Sequence, residues 1–507
     1  MKKYLSLILA LLLAVSAMPA LGETTEPVKL DIFYASSRPM NEATELIHQY
    51  MIDNLGVDFN LIQGDSSNFN QQLALYISSG DMPDVVWLDY TTWKEYADEG
   101  AWADLTPYIG DDYPNLMAYV EDNWPYVTEN EMIQGVPSLG HTPSGQVVAI
   151  RKDWLDKLGL AVPTTIDEYT EVMRAFKTQD PDGNGVDDTW GLAFAGAYYL
   201  SPIMGAFGAS SEEDYFLNDD GTIETNAISE NYRSALRYLH DINAEGLIDP
   251  ESFTADSTQI YTKWGRGEMG VWPAWWSHPG NAYLRYDFES LQPGADVDII
   301  LPPVGEDGKS GALSEALFSY VIGVSYKCSP EKIQAALRLL DWQSTDLGFL
   351  TVEFGPEGEF FEYDPETRSA TWTWEFNDGK SKSGKYETTD MEVYKMLYNE
   401  RLQNKHYIYS DVNYNQMYAK GSEMRWQEPV REDIFALFLT DEYVAVQGEL
   451  TTYFEQNMLA FILGEKDLDT DWDAYVQGYL DLGGEEARQS RLEAYNETFG
   501  TSYTFAE

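Results

Sequence analysis

From Val28 onward the sequence keeps switching between two hydrophobic periods, and this constrains the fold more than any other feature. "VKLDIFYAS" reads as a strand, "NEATELIHQYMIDNLG" as an amphipathic helix stopped by a glycine, and "VDFNLIQG" as a second strand. A helix through "FNQQLALYISSG", a strand at "DVVWLD" and a helix at "TTWKEYADEG" follow. Strands alternating with helices predict a parallel sheet covered on both faces. Ligands of such sheets sit beyond the carboxyl ends of the strands, which groups Ser36, Ser37 and Arg38 with Asp89 and Tyr90 at one potential site. A second block opens near Gln146 with "GQVVAIRKDWLDKLGL", and Thr165 with Glu168 in "TIDEY" predicts a capping box at the head of another helix. "NDDGT" and "EDGKSG" predict hairpin turns, and beyond Thr388 the pattern is mostly that of long amphipathic helices.

At 507 residues the chain exceeds one ordinary domain, and two are expected. Its first residues, "MKKYLSLILALLLAVSAMPALGE", carry two lysines, an apolar run from Tyr4 to Met18 and small residues at Ala20 and Gly22. They predict a secretory signal peptide over residues 1–22, cleaved after Gly22, since the run is shorter than the 18 or so apolar residues of a membrane span. Cys328 is the only cysteine, so the chain has no intramolecular disulfide and no cysteine at the cleavage site to carry a lipid. With 32 basic against 85 acidic residues the net charge is −53. Such a surface repels polyanions, which argues against nucleic acid and an anionic membrane as partners.

Signatures of catalysis are sparse. The five histidines are far apart, with no zinc-protease spacing, and no G-x-S-x-G elbow occurs. "GRGEMG", Gly265 to Gly270, matches a dinucleotide fingerprint, but it follows a helical stretch and runs into "VWPAWW", so it reads as a helix terminator leading into a strand. One motif is strong. In "DPDGNGVDD", oxygen side chains fall at Asp180, Asp182, Asn184 and Asp188, with Gly185 at the turn position and the Val186 carbonyl after it. Alternate oxygens around a glycine suit a hard cation, so a structural Ca²⁺ is expected here. Gly191 stands where a bidentate Glu would complete the set, so another ligand or water must do so.

Four ordered stretches resemble the extracellular solute-binding proteins of ABC sugar importers, in the LipO-like branch of family 1. They are "LYISSGDMPDVVW", "IRKDWLDKLGLAVPTTIDEYTEVMRAFKTQDPDGNGVDDTWGL", "EGLIDPESFT" and "FILGEKDLDTDWDAYV". The resemblance implies an α/β, two-lobe periplasmic-binding-protein type II fold with a hinge, an interlobe cleft and a helical C-terminal region. The expected division is lobe one over 23–140, lobe two over 141–301 with the calcium loop at 180–188, a return to lobe one over 302–358, and a mainly helical remainder over 359–507, largely in lobe two. It further implies a monomer that captures a carbohydrate and delivers it to permease subunits.

Two departures refine this. Glu23 stands where Gram-positive members carry a lipobox cysteine, which points to a free periplasmic or secreted protein. Alginate-binding relatives share a calcium loop, but an anionic ligand fits poorly with a charge of −53, so a neutral oligosaccharide is expected.

"WPAWWSHPG" raises the question of the cleft wall, because tryptophan clusters are more often core, yet flat rings also suit the C–H faces of sugars. Strand alternation prevents all three from facing one way. Trp272, or Trp275 and Trp276, are expected at the cleft, with Trp87, Tyr90 and Tyr198 as further aromatic candidates. An extracellular carbohydrate-active enzyme and a ligand-binding partner of a membrane sensor remain the competing functions.

Overall fold

The computed structural model describes residues 26–35, 40–64, 68–139, 144–285, 288–314, 317–372, 382–386, 394–397, 413–427 and 430–506. The signal-peptide expectation and the candidates Ser36, Ser37 and Arg38 lie outside these residues.

Nine strands, numbered here in chain order, build two main sheets. In the first lobe these are β1 (Val28–Ala35), β2 (Val57–Gly64), β3 (Val85–Asp89) and β4 (Val136–Leu139). The second lobe holds β5 (Gln146–Arg151), β6 (Trp190–Leu192), β7 (Met269–Trp275) and β8 (Val297–Ile300). β9 (Phe318–Val324) then returns to the first sheet, whose order is β2-β1-β3-β9-β4. The second sheet runs β8-β5-β7-β6.

The all-parallel expectation holds only at one end of the first sheet. β1 pairs parallel with β2 and β3, but β9 lies antiparallel to both β3 and β4. A strand that arrives from the other lobe is free of the crossover helix that imposes parallel pairing, so its direction is set by where the chain re-enters.

Local signals place the helices that cover these sheets. Asn41 and Thr44 form a capping box at the start of helix α1 (Glu42–Leu55), which Gly56 ends in the left-handed conformation. The Thr165–Glu168 capping box starts helix α2 (Ile166–Thr178), which buries Tyr169, Met173 and Phe176. "GRGEMG" ends helix α3 (Ser257–Arg266) at a left-handed Gly267 and feeds β7. Four buried clusters result among the described residues, and the two largest are separate. One gathers Phe33, Ile47, Trp93, Val321 and Leu337, and the other gathers Val148, Phe176, Leu236, Phe454 and Tyr475.

The exchange between lobes differs in detail from its expected boundaries. Residues after Pro302 stay with the second lobe for some distance, since Val304 N donates to Thr164 O at 2.9 Å. Close backbone packing holds them there, because a Cβ on Gly205 would meet the Gly311 carbonyl at 1.7 Å. The tail is also shared. A β-hairpin, Phe361–Asp364 against Ser369–Trp372, precedes the helices, and Phe360, Phe361, Tyr394, Met396 and Leu437 join the first core. The later helices α4 (Asp441–Ile462) and α5 (Glu485–Phe499) belong with the second. Between the lobes, Ala312–Leu313 pairs with Val430–Arg431 as a two-stranded crossing. "NDDGT" closes the predicted hairpin, between Tyr215–Leu217 and Thr222–Thr225.

Candidate functional site

A cavity of about 720 Å³ opens where the two lobes meet. The first lobe contributes Ser138 from β4 and Phe318, Ser319 and Tyr320 from β9. Opposite stand Tyr198 and Trp275 of the second lobe, together with Tyr443, Gln447, Thr451 and Glu455 from α4. The crossing segments supply Leu313, Ser314 and Asp433 to its floor. Its size falls within the usual range for small-molecule sites, and it mixes aromatic faces with hydroxyl, amide and carboxylate groups.

The sequence-predicted candidates separate into three groups. Trp275 and Tyr198 line the cavity, the latter 38% exposed. Trp272 does not. It is 1% exposed and wedged among Tyr261, Trp264 and His278, with ring centroids 5.1 to 6.3 Å away. Odd and even positions of β7 face opposite ways, which sends Trp272 into the core while Trp275 reaches the cleft. Burial also lowers the His278 pKa to about 4, so its ring is neutral in this core. Trp276 has left the strand and lies under the Arg425 guanidinium at 4.5 Å, with Tyr418 beside it.

Trp87, Asp89 and Tyr90 act behind the wall. Trp87 is 6% exposed, donates from Nε1 to Met396 O at 3.1 Å, and stacks on Tyr320. Asp89 caps a helix by accepting from Thr92 N and Oγ1, each at 2.8 Å. The Tyr90 hydroxyl is buried and donates to Leu437 O at 3.0 Å, with burial raising its pKa above the ordinary tyrosine range.

The sequence reading missed the group that dominates the cavity. Glu212, Glu213, Asp214, Asp433 and Glu455 all line it, with Arg491 among them. Three lie consecutively in "SSEEDYF", and the segment is pinned from behind by Asn226. Its Nδ2 donates to Ser210 O at 3.1 Å and to Glu212 O at 2.5 Å. Burial, then the Asp433, Glu213 and Glu455 charges, push the Glu212 carboxyl up to about 7. Burial and the charges of Asp433 and Glu212 raise Asp214 well above the carboxylate range, and burial also raises Glu213 and Asp433. Arg491 is already engaged. It donates to Phe435 O, lies 3.9 Å from Asp433, and stacks over the Tyr443 ring at 4.1 Å. In an acidic chain the three residues read as ordinary surface, and their burial depends on folding of the remote segments around Asp433 and Arg491.

Among the described residues no three His, Cys, Asp or Glu side chains form a ready metal-ligand group. The set in the 180–188 loop is instead mixed, with Asn184 at its centre. Asn184 Nδ2 donates to Asp182 at 2.6 Å and lies 3.2 Å from both Asp188 oxygens. Asp180 accepts from Gly183 N at 3.1 Å and from Gly185 N at 3.1 Å, which curls the backbone around the carboxylates. Burial and the neighbouring carboxylates raise Asp182. The loop carries the oxygen-bearing residue types that a hard cation uses, with the Asn184 amide N–H facing Asp182 and Asp188.

Two α/β lobes joined by crossing strands, with a walled cavity between them, define a two-lobe ligand-binding protein. The chain belongs to the bacterial extracellular solute-binding protein family, whose profile matches residues 34–346. Over 228 residues it is 28% identical to FusA of Streptococcus pneumoniae, a fructooligosaccharide ABC transporter substrate-binding protein, covering 41% of this chain and 42% of FusA. Over 213 residues it is 29% identical to lipoprotein LipO of Bacillus subtilis, covering 40% of this chain and 41% of LipO. The match therefore spans about two-fifths of the length of these relatives. The fold is similar to that of an HMO-binding, ABC-transporter-associated solute-binding protein from Bifidobacterium longum infantis. There the TM-score is 0.70 at 20% identity, over 94% of this chain and 100% of that one.

Proposed function

We propose that the protein is an extracytoplasmic binding protein that captures an oligosaccharide between its lobes and delivers it to the permease of an ABC importer. The observation that carries this reading is Trp275 and Tyr198 on one lobe lining the same cavity as Tyr320 on the other. Rings on both sides can cover the C–H faces of a sugar, while Ser138, Ser319, Gln447 and the carboxylates accept from or donate to its hydroxyls. FusA, a fructooligosaccharide ABC transporter substrate-binding protein, supports a transport role. A carbohydrate without negative charge suits this lining and the total charge of −53. The protein works as a monomer, periplasmic or secreted, and is not an enzyme.

Calcium serves stability in this proposal. Asp180, Asp182, Asn184, the Val186 carbonyl and Asp188 would hold it, and its charge would offset the convergence of their carboxylates.

The several carboxylates in one cavity favour an enzyme as the second reading, since glycoside hydrolysis uses a pair of them. Incubation with a glycan panel, followed by tryptophan fluorescence, small-angle scattering and product analysis, separates the two. Binding predicts a fluorescence shift, a smaller radius of gyration and glycan recovered intact. Recovery of shortened glycan would establish turnover and overturn the transport reading.

A further inference from the structure

We propose that the cleft takes an amino sugar, an oligosaccharide carrying a protonated amine, in preference to a neutral or acidic one. This rests on the carbohydrate-binding reading above and narrows its ligand.

The charge balance of the cavity points this way. Its lining carries five carboxylates, from Glu212, Glu213, Asp214, Asp433 and Glu455, against the single guanidinium of Arg491. That cation is committed to Asp433, to the Phe435 carbonyl and to the Tyr443 ring, so it does not neutralise the others. Few local donors satisfy the remaining acids. Thr451 Oγ1 donates to Glu213 Oε2 at 2.8 Å, the Tyr479 hydroxyl also bonds the Glu213 carboxyl, and Ser210 Oγ donates to Asp214. A neutral sugar can offer hydroxyl donors but no charge to balance those of the acids that ionise. An ammonium group supplies both donors and the missing charge. A uronic or sialic acid would add a further negative charge to the same space.

The aromatic members give the rest of the ligand its place. Tyr198 and Trp275 lie in the same cavity as the acidic segment, so a pyranose on the rings would bring a ring substituent among the carboxylates.

A proton balance follows. Glu212 is partly protonated near neutrality, held up by burial and by Asp433, Glu213 and Glu455, with Arg491 the opposing charge in the lining. A bound ammonium favours its ionised form, so Glu212 releases its proton on binding, whereas a neutral sugar does not displace it in this way.

The experiment is calorimetric titration at about pH 6.5 with β-1,4-linked glucosamine trimer and tetramer, their N-acetylated counterparts, and cello-oligosaccharides of the same lengths. Each is run in buffers of different ionisation heat. The glucosamine oligomers should bind at least about tenfold more tightly than the acetylated forms, with buffer-dependent heats that report net proton exchange, the amine taking up protons as Glu212 loses its own. Glu455→Gln, at an exposed position, and Glu212→Gln should each shrink that preference, with thermal midpoints reporting whether the variants fold. Equal or tighter binding of acetylated or neutral oligomers by the wild type would overturn the amino-sugar proposal and leave the carbohydrate reading standing. If none of the three sets binds, the amino-sugar proposal fails; the wider glycan panel then decides the carbohydrate reading separately.

Discussion

Trp87 and Tyr320 stack with ring centroids 3.9 Å apart and planes 16° from parallel, joining β3 to β9 across the first sheet. They are diagonal neighbours, since Trp87 is paired with Ile322 and Tyr320 with Asp89. Tyr320 lines the cleft and Trp87 backs it from inside the core. Trp87→Ala should therefore cost about 3 to 5 kcal/mol of stability and weaken ligand binding through a loosened Tyr320. Trp87→Phe keeps an apolar plate and should recover most of both. Thermal unfolding and titration on the three proteins check this, and a Trp87→Ala variant with native affinity would remove the backing role.

The tryptophans of β7 should behave as two kinds of residue. Trp272→Ala opens a cavity in a packed aromatic cluster and should lower stability by about 3 to 5 kcal/mol. Trp275→Ala should unfold near the native midpoint yet lose about 1 to 3 kcal/mol of binding, on the scale of a base stacked on an aromatic. Matching losses of stability in both variants would place Trp275 in the core as well.

Calcium should raise the thermal midpoint. A ligand that binds the folded state alone adds about 2.7 kcal/mol at a hundredfold excess over its dissociation constant. Unfolding is compared with Ca²⁺ and with chelator, for the wild type and Asp182→Ala. The wild type should shift and the variant should not. Four identical midpoints would rule the site out.

Stability should carry a pH dependence from Glu212. Its folded pKa, about 7, lies above its ordinary value of 4.5, so its favourable contribution is complete below about pH 4.5 and is lost as pH rises through 7. The full swing is about 3 kcal/mol at most. Asp214 and Asp433 are raised too and slope the same way. Glu212→Gln should flatten the fall in denaturant midpoint between about pH 5 and 8. An unchanged profile would mean that the carboxyl is solvated in solution.

Periodicity and caps made much of the architecture legible, because those signals are local. β1, β2 and β3, the Thr165–Glu168 box and the glycine stop at Gly267 all stand where the residues place them. The direction of β9 was not legible, since it depends on where the chain re-enters the first lobe. At the site, Trp275 and Tyr198 were separable from Trp87, Tyr90 and Trp272 only through burial, which a ring does not announce in sequence. The acidic wall escaped for a similar reason. Glu212, Asp433, Glu455 and Arg491 are remote in the chain, and nothing in an acid-rich sequence marks which carboxylates will lose their water.

The central position of β9 bears on how such a chain folds as it is made. β9 lies between β3 and β4, yet it follows all four strands of the second sheet in the chain. A polypeptide growing from its amino end must therefore wait for residues 318–324 before the first sheet can close, and the ordering cost of so long a loop falls before its reward. Until then β3 and β4 each keep an unpaired edge. Delayed closure makes the interval before β9 emerges the one in which a chaperone matters most.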